Sequence, residues 1–123
     1  AALAAIEDSV ARFPQWIAME HVLARLLAAS PDESVRDGER ALELATEVMK
    51  TQPGLQSAQT LAMAYAEVGM FEEAVALQRD LIQRFELSGA DDRLVIFKRR
   101  LELYQQGKPV RSPWLEAKRG GGF

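Results

Sequence analysis

The residues able to do chemistry are few, and their spacing argues against catalysis. His21 is the one histidine, and cysteine is absent. A catalytic His–Cys pair or a His-rich metal site therefore cannot be built within one chain. A Ser-His-Asp set would need a loop serine such as Ser30 or Ser34, and nothing in the spacing suggests one. A lone histidine on a helix is expected to be a surface or packing residue. Two carboxylate pairs, Glu72-Glu73 and Asp91-Asp92, could in principle share acid–base work. Each opens a helix, where the helix dipole already favours negative charge. Gly120-Gly121-Gly122 cannot form a phosphate-cradling loop, since no strand precedes it and no helix follows. The expectation is a chain with no catalytic residue, no cofactor and no metal, and so not an enzyme.

The composition points to a packed, water-exposed body. The apolar fraction is 48% and the charged fraction 27%, as in a soluble globular protein rather than a disordered one. In 123 residues there is length for one domain with a real core. No apolar run approaches the roughly 18–20 residues of a membrane span. The Ala-rich start lacks the basic region of a signal peptide. Without cysteine the compartment stays open between cytoplasm and periplasm. Ala1 stands where an initiator Met would, so the chain reads as a piece of something longer or a processed product. The net charge of -3 gives no argument for nucleic acid, but the charge is uneven. Up to Asp92, acidic residues outnumber basic ones 16 to 7; beyond it lie eight basic residues against Glu102 and Glu116.

Apolar residues recur at three and four positions throughout, which predicts helices. Leu3, Ile6, Val10 and Phe13 form one stripe, ended by Pro14. Trp16, Met19, Leu23, Leu26 and Leu27 form a second, stopping near Ser30-Pro31. Residues 30–38 are polar and turn-rich, hence a loop. Asp37 is the predicted N-cap of a third helix, with Ala41, Leu44, Ala45, Val48 and Met49 on one face, stopped by Pro53-Gly54. A fourth helix carries Ala58, Leu61, Ala62 and Tyr65 and ends at Gly69. A fifth carries Ala74, Leu77, Leu81, Ile82 and Phe85 and ends near Ser88-Gly89. A sixth starts near Asp91-Asp92, buries some of Leu94, Phe97, Leu101 and Tyr104, and closes at residues 106–109. No strand is predicted, because no alternation is sustained.

Residues 55–88 resemble the tetratricopeptide repeat, a helical hairpin of about 34 residues. Leu61, Ala62 and Tyr65 match the signature of its first helix, Gly69 the turn glycine, and Phe71 and Ala74 the turn aromatic and the small crossing residue. Small side chains at Ala62 and Ala74 let the two helices approach, and Gly69 can take the left-handed conformation that ends the first. The pattern departs late: Gln78 and Leu81 replace an aromatic and a small residue, and Glu86 stands in place of proline. Ala41 with Pro53 and Ala2 with Pro14 repeat one separation of 12 residues, and Leu23, Ala24 and Leu27 match the first-helix signature. Ala2 and Ala41 are 39 residues apart, about five longer than the standard repeat, and the 30–38 loop takes up the surplus cheaply.

The resemblance implies an all-α fold, with antiparallel hairpins stacked as a short right-handed solenoid over 1–106. Its parts are the second helix of a partial repeat (1–14), a repeat with a long turn (15–54), a regular repeat (55–88) and a capping helix (91–106). Arg93, Lys98, Arg99, Arg100 and Glu102 leave the capping helix polar on much of its circumference. Residues 107–123 are expected to form an extended, mobile tail, although Trp114 and Leu115 give it reason to fold back on the array or enter a neighbour's groove. An antiparallel bundle is the competing architecture: a solenoid touches nearest neighbours only, whereas a bundle closes on one core.

The resemblance also implies a scaffold that binds a protein or peptide, with no small-molecule substrate. The groove residues would be His21 and Arg25 in the earlier repeat and Gln59, Met63 and Glu67 in the later one. A carboxylate clamp of Lys, Arg and Asn is missing, since Met63 occupies the Asn position and Gln59 and Glu67 are not cationic. A Met-bearing groove suits a partly apolar ligand. The other function class is a non-catalytic regulatory or targeting appendage of a larger enzyme. The basic end lacks the aromatic interleaving of a nucleic-acid platform. The stripe from Leu3 to Phe13 lacks a first-helix partner, which makes the N-terminal helix the expected site of any self-association.

Overall fold

The computed structural model describes residues 17–87, 93–111 and Trp114. Five helices follow one another: α1 (Ile17–Ala29), α2 (Gly38–Thr51), α3 (Leu55–Glu67), α4 (Phe71–Leu87) and α5 (Arg93–Gln105). No strand occurs among the described residues, and none of these helices is long and apolar enough to cross a membrane. The secondary structure of the described residues is all helical, as the periodicity predicts. The stripe at 1–14, Trp16 and Asp91-Asp92 lie outside the described residues.

The helix boundaries have visible causes. Pro31 follows the end of α1, and the Ser30 N–H closes the last turn on the Leu26 carbonyl at 3.1 Å. The loop from 30 to 37 is bonded to itself rather than loose. The Asp32 carboxylate accepts from the Ser34 hydroxyl at 2.7 Å and the Ser34 N–H at 3.0 Å. The hydroxyl bond chiefly, then the N–H bond, holds that carboxyl below its ordinary value. Arg36 Nη1 donates to the Ser30 carbonyl at 2.7 Å. Asp37 caps α2, its side chain accepting from the Arg40 N–H at 3.3 Å. Gly69 (φ 85°) ends the α3 region in a Schellman turn, with Gly69 N–H on the Ala66 carbonyl and Met70 N–H on that of Tyr65. Gly107 (φ 71°) ends α5 the same way, through Tyr104 and Leu103.

Packing runs mainly between neighbours in the chain. Extensive contacts join α1 to α2, α2 to α3, α3 to α4 and α4 to α5; the one that skips an element joins α1 to α3. The main core gathers Leu23, Leu27, Ala41, Ala45, Ala62, Met63, Ala74 and Tyr104. Each fully buried leucine there contributes about 1.5–3 kcal/mol. The two alanines of the repeat signature, Ala62 and Ala74, are fully buried, and Leu61, Tyr65 and Phe71 pack against this core half-buried. A second, smaller cluster forms where α5 meets α4, from Ile82, Leu94 and Phe97 with Leu55, Phe85 and Leu101 around them.

Two expectations change. Arg100 is not part of a solvated face of the last helix; only 3% of it is exposed. The physical reason is its spacing: three residues after Phe97 and four before Tyr104, it shares their buried side. The described part of the tail is also not a free extension. Val110 is 3% exposed and belongs to the main core, because the turn at Gly107 sends the chain back toward the other helices.

Candidate functional site

Gln56, Gln59, Thr60, Met63 and Glu67 recur at helical spacing along one side of α3. The contact between α1 and α3 brings His21 and Arg25 to this side. Arg25 Nε donates to Thr60 Oγ1 at 2.9 Å, and Arg25 Nη2 to the Gln56 carbonyl at 3.0 Å and Gln56 Oε1 at 3.2 Å. His21 Nε2 stands 2.7 Å from the same Thr60 hydroxyl, which itself donates to the Gln56 carbonyl at 3.0 Å. Arg25, His21 and the Gln56 carbonyl thus meet at one hydroxyl.

From Gln59 a second set of bonds reaches α4 and α5. Arg100 Nη1 donates to Gln59 Oε1 at 2.7 Å. Gln59 Nε2 donates to Gln78 Oε1 at 2.8 Å, and Gln78 Nε2 to the Phe97 carbonyl at 2.9 Å. Gln59, Gln78 and Arg100 are all buried. Buried polar groups are tolerated when bonded, and this relay bonds both ends of each amide. Gln78, which departs from the repeat pattern, thus joins α3 to α5. Glu86, another departure, pairs with Lys98 at 3.2 Å.

The five expected groove residues are therefore brought together, but they do not line an open trough. His21 is half-buried, and Arg25, Gln59 and Met63 are buried. Glu67 is bracketed by two cations, Arg111 Nη1 at 2.8 Å and Arg36 Nε at 3.5 Å. The Arg25 guanidinium lies 5.0 Å from the centroid of the Trp114 ring, within cation–π range. Residues of the chain's own C-terminal segment thus meet Glu67 and Arg25, while Val110 shares the core of Met63. Gln56, Thr60, Gln78 and Arg100 were not anticipated. For Gln56 and Thr60 the signal was available, since both lie on the helical stripe of Gln59 and Met63.

Among the described residues no three His, Asp or Glu side chains converge as metal ligands. A cleft of about 470 Å³ between the α2–α3 turn and α4 is walled by Met49, Pro53, Leu55, Leu77, Leu81 and Phe85. Its rim charges, Asp80 and Arg84, satisfy each other at 3.1 Å. No protein-family model, curated protein or solved structure matches the chain.

Proposed function

We propose that this chain is a tetratricopeptide-like interaction module that holds a peptide or a segment of another protein on the face shared by α1 and α3. The observation that carries this reading is the direct contact of α1 with α3, past the intervening α2. Stacked hairpins need that contact, because their first helices line up side by side and present one continuous face. Buried Ala62 and Ala74, and Gly69 with positive φ, support the same reading. The half-buried groups of this face are the imidazole of His21 and the carboxylate of Glu67, while Arg25 and Met63 are buried. The Glu67 carboxylate suits a segment that carries a cation, and the face lacks the cationic clamp for a C-terminal carboxylate.

The test is selection of peptides from a random library on the immobilised chain, followed by fluorescence anisotropy with His21→Ala and Glu67→Gln. Selected peptides should bind the parent and weaken at least about fivefold in both variants, or about 1 kcal/mol. An empty selection, or peptides indifferent to both substitutions, would refute the reading.

A further inference from the structure

The segment that follows α5 is built to lie on the face just described. The Schellman turn at Gly107 reverses the chain, and Pro109 restricts the backbone that follows, so less entropy is lost on fixing it. Three anchors come next. Val110 enters the main core, Arg111 pairs with Glu67 at 2.8 Å, and Trp114 stacks on Arg25. Glu67, Arg25 and the Met63 core are the places where a ligand of this face would be held. The anchors differ in how firmly they are sunk. Val110 is shut off from water, whereas the Arg111 side chain is 36% exposed and Trp114 is 40% exposed. The outer two can therefore leave and be replaced without opening the core.

Resting on the reading of the face as a peptide-binding one, we infer that its ligand is an extended segment with a basic residue followed three positions later by an aromatic one. The chain's own Arg111 and Trp114 hold that place in cis, and a partner segment of the same chemistry must displace them. The cation answers the Glu67 carboxylate, and the aromatic ring covers the Arg25 guanidinium. A tethered segment competes at an effective concentration of about 1 mM. Against a free peptide that binds at about 100 µM, cis occupancy weakens apparent affinity by about tenfold.

The experiment uses the full chain and a labelled peptide with the sequence of residues 107–118, GKPVRSPWLEAK. Binding is measured by anisotropy for the parent and for Arg111→Ser/Trp114→Ala, with circular dichroism on both. The variant should keep its helical signal and bind the peptide about ten times more tightly than the parent, and a peptide with alanine in place of its tryptophan should lose that binding. Equal binding to parent and variant, or none to either, overturns the inference. Loss of helical signal in the variant also overturns it, because the segment would then be part of the core. A concentration-dependent dimer of the parent that the variant abolishes would place the segment on a second copy and overturn the cis assignment. If library-selected peptides bind through His21 and Glu67 while this peptide does not, the face reading stands and the assignment of the tail falls.

Discussion

Gln78 uses both ends of its amide inside the protein, accepting from Gln59 and donating to the Phe97 carbonyl. Gln78→Leu keeps roughly the volume and leaves the Gln59 amide N–H facing an apolar group. The expected cost is about 1–3 kcal/mol, read as a lower denaturation midpoint. Gln59→Leu/Gln78→Leu should cost less than the sum of the two single changes, because the residues act through one bond. Glu20 poses the opposite problem. It is buried at the start of α1, and its carboxyl is pushed above the ordinary value, first by burial and then by the negative charge of Glu47. A folded-state value above the unfolded one means that protonated Glu20 favours the native state. That benefit is complete below the ordinary carboxylate value and is lost as pH rises through the raised one. Glu20→Gln should therefore raise the melting temperature near neutral pH, with the gain shrinking toward about pH 4. A gain that grows on acidification would contradict burial as the cause.

The elements were legible where a local residue decides them. Asp37 as cap, Pro31 and Pro53 as stops and Gly69 as the left-handed turn are each a one-residue cause, and the end of α1, both ends of α2 and the end of α3 fall close to the positions they mark. What escaped sequence reading depends on how elements meet. In the sequence Gly38 reads as the last residue of the polar 30–38 loop. In the structure it admits the end of α3, and a Cβ there would come within 2.9 Å of both Glu67 Cγ and Val68 Cγ1. Glu67 cannot easily yield, since Arg36 and Arg111 hold its carboxylate. Gly38→Ala should thus destabilise by about 1–3 kcal/mol through overpacking, although alanine is the better helix former. Ala62→Leu at the fully buried position on α3 should cost a similar amount, about 1–3 kcal/mol, for the same reason. Unchanged thermal melts would mean that the helices separate without penalty. Arg100 escaped for a related cause. A basic residue in a basic helix reads as solvated, and only the partners on α3 show why it turns inward.

Across the whole molecule, neighbour-to-neighbour packing predicts uneven stability. The α4–α5 cluster is separate from the main core; Leu55, from α3, packs against it, and the Arg100–Gln59 bond adds a polar link. Phe97 is its centre, fully buried and edge-on to Phe85 at 5.3 Å. Phe97→Ala should cost about 3–5 kcal/mol, a large share of the roughly 5–15 kcal/mol that holds a domain together. In a stacked array that loss stays local, because α1 and α2 make no extensive contact with α5. Hydrogen exchange should therefore speed up in α5 and the later turns of α4, while α1, α2 and α3 keep most of their protection. Tyr104 and Val110 tie the end of α5 to the main core, so its last turn should open less than its first. Loss of protection spread evenly over all five helices would instead mean one closed, cooperative bundle. The proposed binding face of α1 and α3 would then lose its architectural basis.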